Sequence, residues 1–137
     1  MNDTLFLDID SALQTKLDEI VGHPHIQWEN DVEYRPTNGT RYWRVTDFYT
    51  GAELVTTGAL QKHLGFIQVD VFVPAEDGIA ELSRDLGKIY AAFNTTDSLY
   101  INKIRIDIGN VGRSKRSQRD GAWYTGSIDI YYKCYSH

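Results

Sequence analysis

Residues Gly65 to Phe93, GFIQVDVFVPAEDGIAELSRDLGKIYAAF, hold a strand, a proline stop and an amphipathic helix in succession. Ile67, Val69, Val71 and Val73 alternate with Phe66, Gln68, Asp70 and Phe72. That period of two is the pattern of a strand with one buried face and one mixed face. Pro74 has no N–H to give to a ladder, so the strand stops there. Asp77 is placed to cap a helix, and Ile79, Leu82, Leu86, Ile89, Tyr90 and Phe93 form an apolar stripe along it. At ~1.5–3 kcal/mol per buried side chain, the stripe is worth on the order of 10 kcal/mol as an upper bound. It has to be covered, and a sheet is the only large apolar surface this chain offers.

The rest of the chain supplies that sheet and a second helix. Leu5, Ile9, Leu13, Leu17 and Ile20 recur on one helical face and predict a helix from Thr4 to Val21, capped by Asn2, Asp3 or Thr4 and ended by Gly22 and Pro24. His25 to Asn30 reads as a short extended piece, and Asn38-Gly39 as a turn. Tyr42 to Phe48 reads as a strand with Trp43 and Val45 on one side, Thr50-Gly51 as a turn, and Leu54 to Thr57 as a return. Ala59 to Val73 reads as one long strand kinked near Gly65. Tyr100 to Ile108 puts Ile104, Ile106 and Ile108 on one face. Ala122 to Tyr135 sends Ile128, Ile130, Tyr132 and Cys134 inward and Asp129, Tyr131 and Lys133 outward. Gly109 to Gly121, between these two strands, reads as the loop of a long-armed hairpin. The order predicts an α+β fold: a mostly antiparallel, mixed sheet with two helices packed on one face, a single-domain α/β sandwich over residues 1–137.

Charge and cysteine content narrow the function. The net charge of −5 argues against a general nucleic-acid binder. The charge is uneven, however. Gly112 to Arg119 carries Arg113, Lys115, Arg116 and Arg119 with no acid, which leaves −9 on the remainder of a chain whose total is −5. An acidic body with one basic segment can pair with copies of itself or with an acidic partner. The single Cys134 excludes an internal disulfide and a cysteine-rich zinc site. No apolar run approaches the ~20 residues needed to span a bilayer, and the acidic start MNDTLFLDID lacks the basic region of a secretory signal. The expectation is synthesis in a reducing cytoplasm.

Reactive constellations are not evident, so no catalytic, cofactor-binding or metal-ligating residue is assigned. His23 and His25 near Glu29 and Asp31 are read as a polar loop after a helix rather than a metal site. Asp8 and Asp10 point to different sides of a helix and are read as solvated surface. Cys134, on an apolar strand phase with no base near it in sequence, is read as a small buried hydrophobe. Gly109 and Gly112 match no nucleotide-binding motif. The basic segment has three readings: a solvated hairpin tip, an arm reaching a neighbouring subunit, or a DNA contact, the last weakened by the absence of interleaved aromatics. Tyr124, Tyr131, Tyr132 and Tyr135 share one strand; either some reach a protein interface or they pair across strands within the sheet.

Several segments in order resemble the phage tail terminator family. Trp28-Glu29-Asn30, then Pro36 and Tyr42-Trp43-Arg44-Val45, resemble its first strands. His63-Leu64-Gly65-Phe66-Ile67-Gln68-Val69-Asp70-Val71-Phe72-Val73-Pro74 resembles its central strand, followed by Gly78 and the helix through Phe93. Asp120-Gly121-Ala122-Trp123-Tyr124 leads into the last strand. The resemblance covers nearly the whole chain. It implies a structural virion protein without catalytic residues or cofactor, made in the bacterial host cytoplasm and located at the head-proximal end of a long tail. It implies a homohexameric ring that caps the tail tube, ends polymerisation and presents a surface for head joining. The implied partners are other copies of the chain, the tail-tube protein and a head-completion protein, with genomic DNA passing unbound and no membrane contact. On that basis Arg113, Lys115, Arg116, Arg119, Tyr131 and Lys133 are the candidate interface residues. A chain of this length has a radius of gyration of ~14 Å and a diameter of ~35 Å, so six in a ring leave room for a duplex. The alternatives are a head-closure or tail-tube subunit, or a small-ligand-binding α+β domain.

Overall fold

The strand that runs into Pro74 lies inside the sheet, and its neighbours follow from its apolar phase. A computed structural model describes residues 4–28, 40–54, 61–93, 98–101 and 104–136. It contains helix α1 (Leu5–Asp18), strands β1 (His25–Gln27), β2 (Tyr42–Leu54) and β3 (Gln61–Pro74), a 3-10 turn (Ala75–Asp77), helix α2 (Ile79–Ala92), and strands β4 (Ser98–Ile101), β5 (Ile104–Asp120) and β6 (Trp123–Ser136). The strands form one six-stranded sheet in the order β1-β2-β3-β6-β5-β4. Every pair is antiparallel except β1 and β2, which makes the sheet mixed. The fold is α+β, as the element order predicts.

One face of the sheet is apolar and carries both helices. Trp43 and Val45 of β2, Ile67, Val69, Val71 and Val73 of β3, Ile128, Ile130, Tyr132 and Cys134 of β6, and Ile104, Ile106 and Ile108 of β5 are all buried. Against them pack Leu5, Ile9, Leu13 and Leu17 from α1, with Leu82, Leu86 and Ile89 from α2 and Phe93 just past its end. Gly126 admits α2 to this face: a Cβ there would lie 3.2 Å from a methyl of Leu86 and 3.6 Å from both methyls of Leu82. The predicted stripe of α2 is therefore real at four positions. Ile79 and Tyr90, at its margins, are exposed.

Local differences from the sequence reading have local causes. The first helix stops at Asp18, three residues before Val21. Its N-cap is Thr4, whose hydroxyl donates to Asp8 Oδ2 at 3.0 Å instead of accepting from the helix. Asp8, read as solvated surface, is buried. Asp77 does not cap α2. It sits in the 3-10 turn, and Gly78 occupies the N-cap at φ 84°, a conformation that favours glycine. Thr50-Gly51 is not a turn. β2 continues to Leu54 through a bulge at Tyr49/Gly51, where Gly51 takes φ 139°. Tyr100 to Ile108 is two strands, since β4 ends at Ile101 and β5 begins at Ile104. The expected Asn38-Gly39 turn, the return beyond Leu54 and the start of the long strand at Ala59 lie outside the described residues.

The largest correction concerns Gly109 to Gly121. The backbone there is not a loop but the second half of β5, which runs to Asp120 before a tight turn at Gly121-Ala122. It pairs with β6 throughout, with register shifts at Ile108/Val111, Arg113/Lys115 and Lys115/Gln118. β6 in turn pairs with β3 from Trp123 to Ser136, and Ala75 N–H donates to Ala122 O at 2.8 Å. The hairpin therefore does not project as an arm. It lies within the sheet, and its basic half is the outermost of the described strands at that level.

Candidate interaction surface

The sheet face opposite the helices is assembled from the mixed phase of β3 and its matching positions on β2 and β6. The registers set these residues in rows. Tyr42, Phe72 and Thr125 share one row, Arg44, Asp70 and Ser127 the next, then Thr46, Gln68 and Asp129, then Phe48, Phe66 and Tyr131. Two aromatic rows thus flank two polar rows. Tyr42 stacks on Phe72 at 4.5 Å, Trp123 meets Tyr42 edge-on at 5.5 Å, and the Arg44 guanidinium lies 5.0 Å over the Phe72 ring. Phe48 stacks on Phe66 at 4.7 Å, and Phe66 contacts Tyr131 at 4.9 Å. Between them Arg44 pairs with Asp70 at 3.1 Å, Ser127 donates to the other Asp70 oxygen, and Gln68 donates to Asp129 at 3.1 Å.

These rows answer the question the tyrosines posed. Tyr131 packs across strands on Phe66 and still stays 44% exposed, as Phe48 stays 40% exposed at the other end of the row. Tyr132 points to the helix side and is buried. The Phe48-Phe66-Tyr131 row presents a half-exposed aromatic strip, the composition found at the centre of protein interfaces.

The six candidate residues fall on two adjacent strands. Tyr131 and Lys133 lie on β6, with Lys133 level with Asp107 of β5. Burial pushes the Asp107 carboxyl up, but hydrogen bonds from Ser98 and Arg105, then the charge of Arg105 and last that of Lys133, outweigh it and hold it below its ordinary value. Arg113 is exposed on β5, level with Ile128. In backbone register Lys115 stands level with Ser127 and Arg119 with Tyr124, and Arg116 falls in the last register shift. The structure thus gathers all six on the β5–β6 half of the sheet.

Other polar groups serve the fold. Asp85 is fully buried on α2 and accepts from Trp43 Nε1 at 3.0 Å and Arg41 Nε at 3.1 Å, with Lys88 Nζ 3.8 Å away. Arg41 also donates to Gly22 O, so this cluster ties α2, β2 and the turn after α1 together. The signal for it was present in the sequence: Asp85 stands between Leu82 and Leu86 on the apolar stripe, a charge where burial is expected. His63 Nδ1 lies 2.9 Å from the Tyr49 hydroxyl, and desolvation lowers its pKa. Burial, and then Asp47, raise the Tyr132 phenol. Burial, and then Asp107, push the Cys134 thiol up to about 11.

None of this forms a reactive pair. Cys134 lies level with His63 across β3, but its thiol is held protonated and contacts a carbonyl of Tyr135 instead. Among the described residues no three His, Cys, Asp or Glu are grouped to share a metal ion. His23 and His25 line a recess with Asp77 and Glu81, while Glu29 and Asp31 lie outside the described residues. A cavity of about 300 Å³ between α1 and the sheet is lined by Leu7, Asp10, Leu13, Trp28, Val45 and Asp47, among others. No described helix is long and apolar enough to cross a membrane.

Comparison with known proteins gives two results. A family profile described as phage tail terminator protein matches residues 8–132. Sixteen chains of solved structures also match. One of them, whose name carries no functional description, has a TM-score of 0.70 and 17% identity, covering 98% of this chain and 96% of its own. At that identity the likeness is one of fold. No match was found among curated proteins.

Proposed function

The chain belongs to the phage tail terminator family, and from that premise we propose that it caps the tail tube of a long-tailed phage, ends tube polymerisation and forms the surface to which the head joins. As a member of this family it is a structural component of the phage tail. In the proposed role it works as a closed ring, six copies in the reading the family suggests, seated on the last ring of tube protein and facing a head-completion protein. The genome passes through without specific binding. No chemistry is required of it. Its task is shape: to match the tube on one side and refuse further tube subunits on the other.

The observation that carries this reading is the family match, which spans 8–132 and so includes both helices nearly whole and all six strands to within the last residues of β6. The fold is consistent with the role. The core is closed on the helix side, and the opposite sheet face and the basic edge remain for contacts. The test is electron microscopy of tails assembled without this protein. Tails of uncontrolled length are expected. Tails of normal, uniform length would overturn the reading, and purified protein that polymerises by itself into open-ended filaments would assign it to the tube instead.

A further inference from the structure

The two outer edges of the sheet are stepped. On one side β1 covers only Tyr42–Arg44 of β2, and no described strand pairs with the outer edge of β2 from Val45 to Leu54. On the other side β4 covers only Ile104–Asp107 of β5, and no described strand lies beside β5 from Ile108 to Asp120. Following the registers across the sheet places both steps on one scale. Ser98 is level with Asp107, Lys133, Leu64 and Gly51. His25 is level with Tyr42, Phe72, Thr125 and Gln118. β4 therefore stands at the level of residues 51–54 of β2, and β1 at the level of 42–44. Residues 45–50 separate them, ~20 Å at ~3.3 Å per residue. A single strand column can hold both without overlap.

The directions agree as well. From the pairings, β1, β2, β6 and β4 run one way and β3 and β5 the other. Set a second copy beside the first with its strands in the same sense. Its β1 then meets the open half of β5 antiparallel, and its open β2 meets β4 parallel, both ordinary ladders. The side chains suit this arrangement. Tyr100 on β4 is 72% exposed, and the open half of β2 offers exposed Phe48 and Tyr49, with Phe6 of α1 edge-on to Tyr49 at 5.3 Å.

We propose that copies of this chain join head to tail by interlocking these stepped edges, β4 of one copy against β2 of the next and β1 of the next against β5 of the first. This rests on the ring reading above and names the surface that makes the ring. The contact is heterologous, so it closes only if the rotation between copies divides a full turn. It would also cover two long edges that no other described strand covers beyond two very short strands, edges that otherwise invite uncontrolled pairing.

Amide hydrogen exchange on the unmodified protein, free and in assembled tails, tests this directly. Assembly should slow exchange about tenfold or more at alternate amides within Gly51–Leu54, level with β4, and within Lys115–Gln118, level with β1. As a second measurement, tails carrying the Tyr100→Cys/Glu53→Cys protein and treated with a short bismaleimide should give a covalent ladder that neither single variant gives. Unchanged exchange at both edges, or monomer alone after cross-linking of capped tails, overturns the interlock and leaves the cap reading standing. Normal tail lengths in the absence of the protein overturn the cap reading itself.

Discussion

Gly65 marks where the sheet is tightest. A Cβ there would lie 2.5 Å from the Tyr132 hydroxyl oxygen and 2.8 Å from the Phe48 carbonyl oxygen. The carbonyl belongs to the neighbouring ladder and cannot retreat. Gly65→Ala should therefore cost about 1–3 kcal/mol, the usual range for overpacking, read as a lowered urea midpoint with an unchanged slope. Adding Tyr132→Phe removes the nearest atom and should recover part of that loss, so the two changes should not be additive. A midpoint equal to wild type in Gly65→Ala would mean the two strands part more easily than this contact allows. His63 on the same strand gives a pH dependence. Desolvation lowers its pKa from 6.5, and as a neutral ring it can accept from Tyr49. As pH falls, the unfolded chain takes up this proton first, so the histidine's effect on stability is nil well above 6.5 and grows unfavourable from there down to the lowered folded value. The drop in urea midpoint between about pH 7.5 and 5.5 should be smaller in His63→Gln than in wild type. An equal drop in both would show that other groups set the dependence.

Elements were legible in proportion to how periodic they are. Leu5, Ile9, Leu13 and Leu17 gave α1, and the alternation from Ile67 to Val73 gave the buried face of β3, because in both the side-chain period survives intact. The second half of β5 was misread because its three register shifts destroy the period of two, and because Gly109, Gly112 and the Ser/Arg composition are loop signals. Pairing with β6 along its whole length overrides those preferences, as tertiary context routinely does in strands. Thr50-Gly51 misled for the same reason, a bulge glycine being indistinguishable in sequence from a turn glycine. The alternation along β6, with Tyr131 and Lys133 outward and Tyr132 and Cys134 inward, followed from phase alone. The row that links Tyr131 to Phe48 was not visible, since it depends on a register that spans residues far apart in the chain.

That correction changes what the four cations do. Charges on an edge strand can simply discourage edge-to-edge association, or they can select a partner. Replacing Arg113, Lys115, Arg116 and Arg119 together with Ser separates these roles. The isolated protein should keep its far-UV spectrum and melting temperature, since β5 stays paired with β6, while tail length control and phage yield fall. Normal tails combined with aggregation of the free protein would instead assign the cations to solubility.

At the scale of the whole molecule, Cys134 reports on whether the sheet opens as one unit. It is fully buried on β6, level with His63 of β3 and Ile106 of β5. Both flanking ladders and the helix layer would have to part before a reagent reached it. Its thiol is also pushed up to about 11 by burial, so near pH 8 a folded molecule holds almost no thiolate, the form that reacts. Access and ionisation therefore both wait on the same opening. If the fold has the ~5–15 kcal/mol stability usual for a domain, labelling by an aromatic disulfide should be slower than that of an unfolded thiol by a factor of about 10³ or more. Urea should speed it with the slope of global unfolding rather than of local fraying. Incorporation into tails binds the folded state and not the unfolded one, so it should slow labelling further. Rapid, stoichiometric labelling of protein with an intact far-UV spectrum would show that β6 can leave the sheet alone. In that case the strand that joins the basic edge to the rest of the fold would be a hinge, and the two edges could not be held at fixed heights.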